Sequence, residues 1–248
     1  NAIAIGYQAG ELQQDVSSIA IGRKAARNQQ GTQSIAIGDE AGLTDQSNNS
    51  IAIGTTAGNT NQNSNAIAIG QQAGQTDQSG NAIAIGPRAG NSSQEPGCIA
   101  IGQNAGFTSQ GNNDPSGNSI AIGVQAGADT QGPGSIAIGE LAGNKDQSNN
   151  AIAIGRKAGE QNQPANSIII NAQGATALNT TTPNSFHVKP IRQDTSNNIL
   201  FYDPITGEIT YDLSGNISGL GPTGAQGPTG AQGPTGADST VTGPQGPQ

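Results

Sequence analysis

The chain has 248 residues, of which 32% are hydrophobic and only 10% charged, with three Phe, three Tyr, no Trp and no Met. That composition excludes the usual thick aliphatic and aromatic core. The net charge of −8 excludes an electrostatic nucleic-acid footprint, and no apolar run reaches the ~18 residues that a membrane-spanning helix needs.

The first element in chain order is a repeat. Ile-Ala-Ile-Gly begins at Ile3, Ile19, Ile35, Ile51, Ile67, Ile83 and Ile99, then at Ile120, Ile136 and Ile152, with a worn copy at Ile168-Ile169-Ile170-Asn171. The period is 16 residues throughout, apart from the interval between Ile99 and Ile120. A strict period of this kind means one structural unit stacked on itself, and an apolar register held across all copies separates it from a disordered or aggregating polar tract. Within each copy a small residue, Ile, Ala and Ile alternate with period two, which predicts a short strand with Ile on one face and Ala or Ser on the other. Each buried Ile would contribute roughly 1.5–3 kcal/mol.

The Gly that follows each strand suits a turn with positive φ. Two freely varying residues come next, such as Arg23-Lys24, Asp39-Glu40 and Pro87-Arg88, and their variation directs them to solvent. Ala-Gly then returns in all but one full copy, as if a neighbouring backbone crowded it. Four residues beyond that Gly, every full copy has glutamine: Gln14, Gln30, Gln46, Gln62, Gln78, Gln94, Gln110, Gln131, Gln147 and Gln163. Such amides are expected to stack as a hydrogen-bonded ladder at the ~4.7–4.8 Å strand spacing. Sixteen residues therefore hold two short strands and two turns, one coil of a parallel β-solenoid or β-roll. Eleven coils would make a rod of about 50 Å, and no single coil folds alone. The extra residues around Asn112-Asn113-Asp114-Pro115 read as an outward loop.

The string Asn118-Ser119-Ile120-Ala121-Ile122-Gly123 resembles the head repeats of trimeric autotransporter adhesins, and the resemblance runs from residue 1 to about residue 170. It implies a left-handed parallel β-roll with three chains packed into one head. The 16-residue period and the regular Gln depart from that pattern, and neither a heptad stalk nor a terminal membrane barrel is present in this sequence.

Residues 172–218 change character and hold Phe186, Phe201, Tyr202 and Tyr211. Strands are expected over 186–192, 198–203 and 208–212, with Asp203-Pro204-Ile205-Thr206-Gly207 as the turn between the last two. This reads as a small β-meander or neck. Its Pro-Ile-Arg and Tyr-Asp-Pro-Ile-Thr-Gly-Glu-Ile-Thr-Tyr segments resemble those in fibre proteins of large DNA viruses and phages. From residue 219 the chain is collagen-like, with Gly221, Gly224, Gly227, Gly230, Gly233 and Gly236 in register and a restart at Gly243 and Gly246. Only Gly fits at the axis of three wound chains. The Gly-Pro-Thr triplets resemble the stalks of bacterial spore hairs and giant-virus surface proteins, which implies possible O-glycosylation at Thr223, Thr229 and Thr235. The expected domains are thus 1–171 β-roll, 172–218 neck and 219–248 stalk.

Catalytic, metal and cofactor chemistry finds no support. His187 is the sole histidine and Cys98 the sole cysteine, so no intrachain disulfide forms. Cys98 takes the small position before Ile-Ala-Ile-Gly, where elsewhere Ala or Ser stands. The Gly219-Leu220-Gly221-Pro222-Thr223-Gly224 match to a dinucleotide fingerprint lacks its strand and helix, and the triplet period accounts for its glycines from Gly221 on. The chain opens at Asn1 inside a repeat, as a fragment or processed product would. The reading is a structural, non-enzymatic, homotrimeric fibre component of an extracellular, virion or spore surface. Its alternatives are an adhesin that binds a host receptor or glycan through the variable turns, and a subunit that assembles end to end into filaments.

Overall fold

The computed structural model describes residues 1–111, 114, 116–192, 199–212 and 246. These residues form β-structure and turns with no helix, and the chain divides into two compact units, Asn1–Arg192 and Gln193–Gln248.

The first unit is a parallel β-solenoid. Its long sheet has 12 strands. They are Ile3–Ile5, Ile19–Ile21, Ile35–Ile37, Ile51–Ile53, Ile67–Ile69, Ile83–Ile85, Ile99–Ile101, Ile120–Ile122, Ile136–Ile138, Ile152–Ile154, Ile168–Asn171 and Phe186–Lys189. Each repeat pairs with the next in identical register, Ile35 with Ile51 and Ala36 with Ala52 for example. A seven-stranded sheet runs from Thr44–Gln46 to Lys145–Gln147 on the other side of the coil. Only its outer positions pair, as Thr44 with Thr60 and Gln46 with Gln62. The middle residue of each such triplet has a left-handed backbone, with φ of 57° at Asp45, 56° at Asn61 and 53° at Asp77. Asp and Asn tolerate that region best among non-glycine residues, which accounts for their recurrence there.

Three expectations need correcting. First, the face is reversed. Every central Ala of the long sheet from Ala20 through Ala153 is fully buried, as is the second Ala of the coils from Ala25 through Ala158. The Ile on either side point outward and are half-buried or exposed, with Ile85, Ile138 and Ile154 at 36–39% exposure. A coil this tight has a lumen that methyl groups and one amide fill, so the branched side chains stay outside it. In the worn copy a large aliphatic group replaces the central Ala in the lumen, where Ile169 is fully buried.

Second, the tight approach around Ala-Gly comes from within the coil. A Cβ added at Gly42 (φ +54°) would meet the Gln46 amide at 2.9 Å, so the glycine makes room for the glutamine four residues on. The backbone of the next coil crowds the other glycine, since a Cβ at Gly38 (φ +134°) would lie 2.6 Å from the Gly54 carbonyl.

Third, the strand expected over 186–192 does not begin a meander. Phe186–Lys189 pairs parallel with Ile168–Asn171 and adds a twelfth rung where eleven coils were expected. Phe-His-Val-Lys keeps the period-two alternation, and Leu178 extends the buried core into this last coil. In the second unit, Ile199–Tyr202 and Ile209–Asp212 form an antiparallel two-stranded sheet of their own.

Candidate functional site

The constant glutamines build a column inside the solenoid. Gln30, Gln46, Gln62, Gln78, Gln94, Gln110, Gln131, Gln147 and Gln163 are essentially fully buried, while Gln14 in the first coil is half-buried. Apart from Gln110 and Gln163, each amide nitrogen of the column donates in two directions. One bond crosses the lumen of the same coil to the first Ile carbonyl, as from Gln46 Nε2 to Ile35 O at 2.9 Å. The other climbs to the next coil, as from Gln46 Nε2 to Gln62 Oε1 at 3.1 Å. The climbing bond links Gln14, Gln30, Gln46, Gln62, Gln78, Gln94 and Gln110 in one series. A second series links Gln131, Gln147 and Gln163. All donors point the same way along the column. A buried amide needs such partners, because each polar group left unpaired costs roughly 1–3 kcal/mol.

The two series are not joined. Gln110 Nε2 keeps its bonds to Ile99 O at 2.7 Å and Ser119 O at 3.4 Å, the counterparts of those from Gln94 to Ile83 O and Cys98 O, and among the described residues Gln131 Oε1 is buried without a hydrogen-bond partner. The backbone is continuous across the gap, since Gln110 still pairs with Gln131. The break sits in the coil that carries the long interval, and that interval was the only signal for it in the sequence. Cys98 lies next to the break, fully buried, with its thiol 3.2 Å from Ser119 Oγ, and burial pushes its pKa up. Burial also raises the Glu95 carboxyl, with the Asp114 charge adding to the effect. Asp114 itself accepts from the backbone and hydroxyl of Ser116, which hold its pKa below the ordinary carboxylate range.

The outer face of the long sheet is the second candidate. Two Ile per coil line up at constant register from Ile19 to Ile154, an apolar stripe along one side of the solenoid. The variable turns flank it and carry cross-coil ion pairs. Arg23 meets Asp39 (Nε–Oδ1 2.8 Å), Lys24 meets Glu40 (3.3 Å), Arg27 meets Glu11 (2.7 Å) and Arg156 meets Glu140 (3.1 Å). These basic residues, expected as solvated loop positions, thus have partners one repeat away. Being largely exposed, such pairs are worth little in stability. A shallow groove lined by Arg88, Asn104, Phe107, Gln125, Asp129 and Lys145 draws on adjacent coils.

Other candidate positions behave differently. His187 Nε2 lies 3.0 Å from Ser185 Oγ, and among the described residues no group of three His, Cys, Asp or Glu is placed to hold a metal. No helix among the described residues is long and apolar enough to cross a membrane. Gly221, Gly224, Gly227, Gly230, Gly233, Gly236 and Gly243 lie outside the described residues, as do Thr223, Thr229 and Thr235. Gly246 is described and exposed.

A family profile described as YadA head domain repeat matches residues 117–140, in two copies. No curated protein and no solved structure matches the chain. The matched span covers Ile120–Ile122 and Ile136–Ile138, two adjacent rungs of the long sheet. The chain is therefore similar, over these repeats, to the head repeats that this profile describes.

Proposed function

We propose that this chain is a non-enzymatic structural subunit of an extracellular or virion-surface fibre, in which three copies pack their solenoids into a rigid shaft or head. The outward Ile stripe carries this reading. Its methyl groups are only partly covered within one chain, and contiguous apolar surface of this kind marks an association face. The similarity to adhesin heads supports three chains, and so do the Gly-Xaa-Yaa triplets, since a collagen helix needs three. In this reading the residues from 193 to 218 join the solenoid to a collagen-like stalk at 219–248, with Thr223, Thr229 and Thr235 available for sugars. The glutamine column stiffens each shaft from within. Sedimentation equilibrium tests the count: three times the 24.6 kDa chain mass is expected, and the mass of a single chain would overturn the proposal.

A second reading, an adhesin, rests on the groove around Phe107. An aromatic ring set among Arg88, Asn104, Gln125 and Lys145 has the make-up of a glycan platform, a stacking face ringed by donors. Saturable binding on a glycan array, lost in Phe107→Ser, supports that role; no binding to any glycan leaves the structural reading alone.

A further inference from the structure

The hairpin of the second unit is closed at its turn and leaves apolar side chains largely exposed. Its turn is closed from inside: Asp203 Oδ1 accepts from the Ile205 and Thr206 amides at 2.7 and 3.3 Å, and the Asp203 amide donates to Glu208 O at 2.9 Å. The bonds from the Ile205 and Thr206 amides hold the Asp203 carboxyl below its usual pKa range. Cross-strand register places Tyr202 opposite Ile209 and Leu200 opposite Tyr211, and pairs Phe201 with Thr210. Partners directly opposite share a face, and successive residues alternate between faces. One face therefore carries Leu200, Tyr202 and Ile209, which are 71%, 67% and 55% exposed. The opposite face is mixed, with Phe201 beside Thr210. A two-stranded hairpin is marginal in water without something against its apolar face, and among the described residues of this unit the sheet has two strands.

We infer that the 199–212 hairpin is an interchain docking element, whose Leu200, Tyr202 and Ile209 face packs against the same face of two further copies and sets three Gly-Xaa-Yaa tracts in one register. The inference rests on the three-chain reading above and adds the element that aligns the tails. The occupant follows from what comes next in the chain. The first triplet glycine, Gly221, stands nine residues after the end of Ile209–Asp212. Three tracts must start in step there, because one misplaced residue puts a side chain at the crowded axis. Six triplets and a restart of two are short, so a preceding trimer raises the effective concentration of the strands. Identical hairpins clustered by one apolar face supply such a trimer.

The test uses the full chain, comparing Leu200→Ser/Tyr202→Ser with Phe201→Ser on the mixed face. Chain mass and recovery of the collagen-type circular dichroism signal after melting the tail are measured for each. The inference expects three chains for the unaltered protein, recovery slowed at least about tenfold in the double variant, and near-normal recovery in Phe201→Ser. As a second measure, Leu200→Cys with Cys98→Ser is expected to give interchain species with a short bismaleimide, and Thr210→Cys with Cys98→Ser is not. Equal recovery in all three proteins, equal slowing in both variants, or equal crosslinking at both cysteines overturns the docking role while leaving the trimer intact. An unaltered protein of three chains with no collagen signal removes the register-setting role. A single-chain mass for the unaltered protein overturns the three-chain reading itself, and the inference with it.

Discussion

The coil junction between Gln94 and Gln110 and the one between Gln110 and Gln131 have the same backbone pairing and different interiors. At the first, Gln94 Nε2 reaches Gln110 Oε1 at 3.0 Å. At the second, the strands keep their register while Gln131 Oε1 has no partner. The backbone ladder thus aligns the coils by itself, and the amide column is a separate contribution laid over it. One interval five residues longer than the rest uncouples the two.

The sharpest way to break this comparison is to delete an amide on each side of it. Gln94→Leu removes the bond to Ile83 O, costs the Gln78 nitrogen its climbing bond while leaving its bond to Ile67 O, and strands the Gln110 oxygen. It should destabilise by several kcal/mol, at roughly 1–3 for each group left unpaired, measured by denaturant or thermal unfolding. Gln131→Leu strands the Ile120 and Gln147 oxygens but no donor from the preceding coil, so its loss should be smaller by about one such group. Equal losses at the two sites would mean that the column is continuous in solution.

Healing the break is the converse. Deleting residues 112–116 restores the 16-residue period and leaves Gly111-Gly117-Asn118-Ser119 where an earlier coil carries Ser79-Gly80-Asn81-Ala82. Reconnecting Gln110 to Gln131 should stabilise by roughly 1–3 kcal/mol, and a lower melting temperature would contradict it. Cys98→Ser should shift stability by less than about 1 kcal/mol, because Ser50 and Ser119 occupy the same position in other coils. The buried, pKa-raised thiol should react with thiol reagents only once the chain unfolds.

The smallest effect is electrostatic. The folded-state pKa of Glu95 is raised, so its carboxyl is tolerated while protonated and becomes unfavourable as pH rises through that folded value. Glu95→Gln should therefore stabilise slightly at neutral pH, and the difference should vanish as pH falls below the ordinary carboxyl range. A difference that persists at low pH would point to packing instead.

Much of this was legible beforehand for physical reasons. Constant spacing forces one coil onto the next, and a glutamine that never drifts while its neighbours do signals a buried amide. The facing of the strands was not legible. Ile-Ala-Ile alternation distinguishes two faces without saying which is inside, and only the tightness of the coil selects Ala36 over Ile35 and Ile37 for the lumen. The last rung also escaped, since Phe186–Lys189 shares no residue identity with Ile-Ala-Ile-Gly and follows an 18-residue spacing from Ile168. The left-handed residues at Asp45, Asn61 and Asp77 left a trace as an Asp/Asn bias, one that their exposure alone would also produce.

The outward Ile stripe as a face between chains is the central claim, and crosslinking tests it most directly. With Cys98→Ser as background, Ile67→Cys places a thiol on the stripe and Asn61→Cys places one on the exposed second sheet. With one thiol per chain, a short bismaleimide should join chains in pairs through residue 67 and leave the residue 61 variant as single chains. Equal crosslinking at both positions, or none through residue 67, would contradict the account.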